Sequence, residues 1–447
     1  MKKTYRRWTT AAVLAGVILI PLAALAQRTG YSREEFERRR NALAAGVKEG
    51  MIVLFGEPLP HPGSAFRQDN DFYYLSGLED ENAILVIAAP TAETTLFLPR
   101  QTPREMMYEG ANLLADERRF AASGLAAVYD LSFFDEFVAR NRSRFAVTWF
   151  RLQPRDTLDT DRGETLLFEA RKNRNPYNDL PSLDSHRLKK FLERHPSFDV
   201  RDVTPHIDAL RLIKSREEIE ILRRNGRLSA EAVKRAMLAS GPGVYEYEVE
   251  AAALHWIAKH GARGPAYPPI VGSGPNSCIL HYARNDRKAE AGDLLLMDFG
   301  ATLDYLCMDI TRTWPVSGRF TPEQREAYEI VLLVLNACLE AYRPGVTDAQ
   351  VKDHVDRVLN ARGVDGRGLT GGIGHYVGLC VHDVGPRGLP LQEGMVFAIE
   401  PGLYDPQKNL GIRIEETVLI TRDGCEVLSA DVPKEVEDIE KLLARRK

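Results

Sequence analysis

Apolar residues along the first half of the chain come in short runs. MIVLF from Met51, AILVIAA from Ala83, TTLFL from Thr94 and FAVTW from Phe145 each read as a strand. Helical patterns lie between them. The first is opened by Ser32-Arg33-Glu34-Glu35, whose capping-box spacing starts a helix running to about Val47. Strands alternating with helices from about 30 to 205 predict an α/β domain. The aromatic and polar stretch FRQDNDFYYLSGLED, from Phe66, suggests no chemistry of its own, and no cluster of His and carboxylates occurs in this half.

Near Val203-Thr204-Pro205-His206 the pattern changes, and the domain boundary is placed there. Ser215-Arg216-Glu217-Glu218 is a second capping box and opens a long helix through about Ala236. A further helix is expected from Tyr245 to His260, stopped by Gly261. Thr321-Pro322 starts a third, with Pro at its favoured first position, and Thr347 to Gln350 caps a fourth that ends at Gly363. Strands are expected at ILHY from Ile279, at LLLM leading into Asp298, at DITRTW from Asp309, at MVFAIE and at GIRIEETVLI. The second domain therefore reads as α+β, an antiparallel sheet backed by helices.

The first residues follow a different pattern. Lys2, Lys3, Arg6 and Arg7 precede an apolar run from Ala11 to Ala26, and Ala24-Leu25-Ala26 fits a signal-peptidase site before Gln27. The run is short for a spanning helix and is broken by Pro21, so residues 1–26 are expected to be cleaved and to leave no stable membrane anchor. The product is expected in a periplasm or outside the cell. Removing the leader takes four positive charges and no negative ones, so the formal net charge of -4 falls to -8, which argues against nucleic-acid binding. Five cysteines, an odd number, all lie from Cys278 onward and argue against a full disulfide framework. Cys338, inside a helical run, reads as core; Cys307 and Cys380 lie near candidate site residues in sequence.

The stretch from Leu294 to Pro315, LLLMDFGATLDYLCMDITRTWP, carries the candidate chemistry. Two strands joined by a polar turn around Asp304 would form a hairpin with Asp298 and Asp309 on opposite arms. A carboxylate beside an apolar strand is costly unless something pairs with it. Farther on, ILHYARN holds His281, GHYVGLCVHDVG holds His375 and His382, MVFAIEPGLY holds Glu400 and Tyr404, and GIRIEETVLI holds Arg413 and Glu415. Residues two apart on a strand share a face, so Arg413 and Glu415 are expected to point the same way. Taken singly, His281 or His382 also reads as a core histidine, and Glu415 as half of a surface pair with Arg413. Other chemistries lack support: H-E-x-x-H and G-x-S-x-G are absent, and the G-x-G-x-x-G from Gly366 follows a helix instead of a strand.

The ordered motifs MDFG-x8-DITRT, GHYVGL-x2-HDVG, IEPGLY and GIRIEE closely resemble the metallopeptidase family that includes aminopeptidase P and prolidase. FRQDNDFYYLSGLED resembles the N-terminal domain of aminopeptidase P. The resemblance implies an α+β chain, with a creatinase-like α/β domain over residues 27–205 and a pita-bread catalytic domain over 206–447. It places five metal ligands on Asp298, Asp309, His375, Glu400 and Glu415, with Asp309 and Glu415 bridging two divalent ions. Four carboxylates and one imidazole suit hard or borderline ions; Mn²⁺ is the first choice, with Co²⁺, Fe²⁺ or Zn²⁺ compatible. A hydroxide between the ions would be the nucleophile. By the same resemblance Glu400 takes its proton, His281 and His382 bind the substrate carbonyl and the tetrahedral intermediate, Arg413 orients a carboxylate and Tyr404 assists.

The activity implied is removal of the N-terminal residue from peptides whose second residue is proline. One rival is a prolidase restricted to Xaa-Pro dipeptides, and another is an inactive pita-bread module that binds peptides. The family often carries a His four residues before the ligand histidine. Gly371 stands there in this chain, so looser selection around the substrate proline is expected. The sequence is compatible with a homo-oligomer and does not specify one.

Overall fold

The computed structural model describes residues 30–60, 64–366, 368–370 and 374–446. The leader and Gly371 lie outside the described residues. No helix among those described is long and apolar enough to cross a membrane.

The first domain is built on a six-stranded mixed sheet. Its strands run in the order Ala127–Asp130, Glu93–Leu98, Ile84–Ala88, Met51–Phe55, Val147–Phe150, Asp199–Asp202. The pairings of Ile84–Ala88 with its two neighbours are antiparallel and the other three parallel. Successive side chains on a strand point to opposite faces, and here both faces are covered. Ile52, Leu54, Leu85, Ile87, Leu96 and Leu98 face the large core that continues into the second domain. Met51, Val53, Ile84, Val86 and Phe97 face a smaller core with Phe134, Val138 and Phe191. This double burial is why the strands read as unbroken apolar runs.

The second domain packs its antiparallel strands into four small sheets instead of one. Helices Arg216–Ala239, Pro322–Ala341 and Asp348–Arg362 form where the capping signals place them, Glu246–Lys259 forms before Gly261 as expected, and a short helix, Val436–Leu443, ends the described chain. Three expectations need correction. Ile279–Tyr282 is a turn after the 3-10 segment Gly274–Cys278, with Ile279 53% and Leu280 51% exposed, so β-forming composition misled there. GIRIEETVLI is two strands, Leu410–Arg413 and Glu416–Ile420, in different sheets. The capping box at Ser32 is only half made. Ser32 caps the Glu35 N–H, but its own N–H donates to Glu217 at 2.7 Å, and the Glu35 carboxylate turns to Arg38 and Arg39.

The hairpin around Asp304 forms and has a second purpose. Leu294–Asp298 pairs with Thr311–Pro315, and the inner strands Ala301–Leu303 and Leu306–Cys307 extend it to a tip at Asp304-Tyr305. Both tip residues have positive φ, 49° and 72°, the twist that a two-residue hairpin turn requires. Tyr305 inserts into the first domain: its ring stacks on Tyr73 at 3.5 Å between centroids, with the Arg67 guanidinium 4.2 Å from its centre. Its hydroxyl accepts from the Gln68 N–H at 2.9 Å and donates to Glu79 at 2.8 Å. The FRQDNDFYYLSGLED stretch is thus the socket that joins the domains. Tyr305→Ala removes a fully buried ring and both hydrogen bonds, and is expected to cost about 3–5 kcal/mol in urea unfolding. A loss below about 1 kcal/mol would show that the socket does not hold the domains.

Candidate metal centre

The predicted carboxylates converge because two close backbone approaches bring their strands together. Gly300, just after Asp298 and Phe299, lies against the Met308 carbonyl; a Cβ there would sit 1.6 Å from that oxygen. Gly374, at φ +69°, places His375 so close to the neighbouring strand that a Cβ would sit 1.5 Å from the Ala398 carbonyl. Asp309 lies in the break between strands Leu306–Cys307 and Thr311–Pro315, where its backbone is fastened to Thr417: its N–H donates to Oγ1 at 3.2 Å and its carbonyl accepts from that hydroxyl at 2.6 Å.

Asp309, His375 and Glu415 present ligand atoms that all lie within 4.8 Å of one another, and all three are buried. His375 Nε2 is 3.4 Å from Asp309 Oδ2 and 3.7 Å from Glu400 Oε1. Its Nδ1 donates to the Tyr376 carbonyl at 3.1 Å, which leaves Nε2 facing the carboxylates. Asp298 joins the group through Tyr267, whose hydroxyl hydrogen-bonds both Asp298 and Asp309. Arg413 pairs with Asp298 through Nη2 and donates to the Tyr404 hydroxyl at 2.9 Å. Glu415 sits in the break after the Leu410–Arg413 strand, so shared strand face does not align it with Arg413. Thr311 does so instead, accepting from Arg413 Nε at 3.0 Å and donating to Glu415 at 2.6 Å.

His382 packs against His375 with 4.0 Å between ring centroids and the rings tilted by 51°. His281 is exposed on the turn before Tyr282, which is buried beside Tyr404. Tyr267, Thr311 and Glu164, whose carboxylate meets His382, were missed by sequence reasoning. Nothing in the composition of AYPP or DRGE distinguishes them, since their partners lie tens to hundreds of residues away.

Charge is unbalanced in this group. Burial pushes Glu415 well above the usual carboxylate range, and Asp309, Asp298 and Glu400 add to it. Asp309 is raised to about 6 by burial and by Asp298, which together outweigh the pull of His375. Burial works against a charged His375, yet Asp309 beside it raises the ring to about 9. Among the described residues no Lys or Arg side chain forms an ion pair with Asp309, Glu400 or Glu415.

A second acidic group, Asp156, Cys380 and Asp383, also has metal-compatible spacing. It is filled by cations. Arg211 Nη2 lies 2.6 Å from both Asp156 and Asp383, and Lys214 lies 3.0 Å from Asp383. Despite burial, Arg211 and Arg162 hold Asp156 down to about 2, and Lys214 and Arg211 keep Asp383 low. Burial pushes the Cys380 thiol well up, so it offers no thiolate. All five cysteines are free, and Cys338 is buried as expected.

A two-domain α+β chain with an uncompensated carboxylate–histidine cluster defines the class of a metal-dependent hydrolase. Residues 220–422 match metallopeptidase family M24, and residues 36–146 match the aminopeptidase P N-terminal domain. The chain is 33% identical to a Haemophilus influenzae Xaa-Pro aminopeptidase, over 94% of this chain and 99% of that one. It is 34% identical to the Xaa-Pro aminopeptidase of Escherichia coli (strain K12), over 92% and 98%. The solved structure of E. coli aminopeptidase P with the inhibitor Pro-Leu superposes with a TM-score of 0.78 at 32% identity, covering 93% and 98%. The chain belongs to metallopeptidase family M24 and is an enzyme of the metallo-aminopeptidase class.

The raised groups set a pH dependence for chelator-treated protein. His375, raised from 6.5 to about 9, contributes stability that is present below 6.5 and lost as pH climbs through 9. Asp309, raised from 3.8 to about 6, acts in the same sense at lower pH. Tm under chelation should therefore fall between pH 6.5 and pH 9, and added Mn²⁺ should restore more of it at the upper end. A flat or rising Tm under chelation would contradict this charge balance.

Proposed function

We propose that the chain is an exported dinuclear aminopeptidase that releases the N-terminal residue of peptides carrying proline second. One observation carries this reading: among the described residues the carboxylates of Asp309 and Glu415 are buried together without a Lys or Arg ion pair, whereas the neighbouring Asp156–Asp383 group has its cations built in. The names of the relatives support the substrate class. The leader over residues 1–26 supports export to a periplasm or beyond.

Asp298, Asp309, His375, Glu400 and Glu415 would hold the two ions, with Mn²⁺ the first choice. When bound, these ions supply the offsetting positive charge and lower the pKa of an attacking water. Thr311 and Tyr267 orient Glu415, Asp298 and Asp309 by hydrogen bonds, and Arg413 holds Asp298. Glu400, with its side chain 33% exposed, can take up the water's proton. The nitrogen of a Xaa-Pro bond carries no proton, so it must receive one as it leaves, and Glu400 can return it there. His382, with His281 on the exposed turn, would hydrogen-bond the substrate carbonyl as charge develops on its oxygen.

Purified protein should cleave Xaa-Pro-Xaa peptides, lose that activity under chelation and regain it with Mn²⁺. Cleavage of Xaa-Pro dipeptides alone would assign the narrower dipeptidase activity, and no cleavage of either with metal bound would overturn the proposal. Glu415→Gln and Asp309→Asn should abolish turnover and bind less metal. His382→Ala should keep its metal and lose roughly 10²-fold in kcat; loss of metal in that variant would make His382 a ligand instead. N-terminal sequencing of exported protein should begin at Gln27, and a retained Met1 would contradict cleavage.

A further inference from the structure

His382 belongs to the second domain, but its partner comes from the first. Its Nδ1 lies 2.7 Å from both carboxylate oxygens of Glu164, 218 residues away in sequence. Burial opposes charge on Glu164, but the hydrogen bond from His382 keeps the carboxyl below its usual range. A carboxylate only accepts, so Nδ1 must carry the proton of this hydrogen bond. Nε2 is then the ring's remaining polar atom, the one available to a substrate.

Glu164 is itself held. It is the third residue of the helix Arg162–Lys172 and closes a capping box, with its N–H donating to Asp161 at 2.7 Å and its carboxylate accepting from the Asp161 N–H at 3.2 Å. The residue before it in the helix but one, Arg162, reaches Asp71 at 3.0 Å and Asp208 at 2.6 Å. Asp71 also pairs with Arg211 at 2.7 Å, and Arg211 grips Asp383 at 2.6 Å, next to His382. The two ends of the Glu164–His382 contact are therefore tied to one buried ion network, Arg162–Asp71–Arg211–Asp383, that crosses the domain boundary.

We propose that Glu164 is the positioning residue for His382, supplied by the N-terminal domain to fix the ring and keep its proton on Nδ1. A carboxylate at Nδ1 also offsets charge on the ring when Nε2 donates towards a developing oxyanion. This rests on the reading of His382 as a substrate-side group. It gives the first domain a part in positioning a group of the site, in addition to docking the hairpin tip.

Glu164→Gln separates this role from helix capping. Glutamine closes the capping boxes at Thr321–Gln324 and Thr347–Gln350 in this chain, so the helix should survive the substitution. With its amide oxygen taken by the Asp161 N–H, glutamine would turn its NH₂ towards Nδ1, which could then carry no proton. The ring would meet the oxyanion as a neutral Nε2 donor, without the charge that the carboxylate offsets. The variant should keep wild-type Tm, metal content and KM while kcat falls roughly 10-fold or more. In a His382→Ala background the same substitution should cost nothing further. Losses that multiply, or a kcat unchanged by Glu164→Gln, would overturn the proposal. A second readout is independent of turnover. In ¹⁵N-histidine-labelled, zinc-loaded protein, the resonance missing from His382→Ala should report a proton on Nδ1. A His382 proton found on Nε2 alone would overturn the proposal even if the peptidase activity is confirmed; an Nδ1 proton would support it even if the substrate is a different peptide.

Discussion

Negative charge buried without its counter-charge is the constraint around which the second domain is arranged. Asp309 and Glu415 lie in a core that would ordinarily exclude them, and burial raises the proton affinity of both. Repulsion from Asp298 at Asp309, and from Asp309, Asp298 and Glu400 at Glu415, adds to it. A protein can relieve such a cluster with guanidinium groups or with a metal ion. This chain shows the first at one place and leaves an adjacent cluster without it. At Asp71, Asp156 and Asp383 the relief is internal, from Arg162, Arg211 and Lys214, and Asp156 stays ionised with a carboxyl near 2. At Asp309 and Glu415 the guanidinium groups close by are paired elsewhere: Arg413 with Asp298, and Arg312 with Glu416 and the Glu415 backbone carbonyl. That difference marks the second cluster, and not the first, as the candidate metal site.

The rest of the fold keeps the uncompensated cluster together. Gly300 and Gly374 admit backbone contacts that any side chain would prevent; Gly374 adjoins His375 and Gly300 lies two residues after Asp298. Thr311 holds Glu415 to Arg413 across the strand break, and Thr417 pins the backbone of Asp309. The N-terminal domain closes over one side. It receives Tyr305 in an aromatic socket, shares the Arg211 network and brings Glu164 to His382. Its sheet faces two cores, and the larger is continuous with that of the catalytic domain, so the two domains are packed as one body of apolar side chains.

What was legible in the sequence follows from how local each signal is. MIVLF and AILVIAA read as strands because burial on both faces leaves no polar interruption, and the helices at Ser215, Thr321 and Thr347 are announced by reciprocal caps within four residues. ILHY failed because β-forming side chains can stand exposed on a turn, and GIRIEE failed because a strand break leaves no mark in apolar spacing. The acidic and histidine candidates could be picked out because their motifs occur in a familiar order, while Tyr267 and Glu164 could not. A tyrosine or a capping glutamate acquires its role only from a partner brought close by tertiary folding. For the same reason FRQDNDFYYLSGLED read as chemically silent, although Asp71 within it anchors three arginines.

The most direct measurement is anomalous diffraction from crystals of the full chain grown with Mn²⁺. Two manganese peaks beside Asp309 and Glu415, and none at Asp156, Cys380 and Asp383, are the expected result. Absence of manganese from the first position, or a peak at the second, would contradict the account of where the unbalanced charge lies.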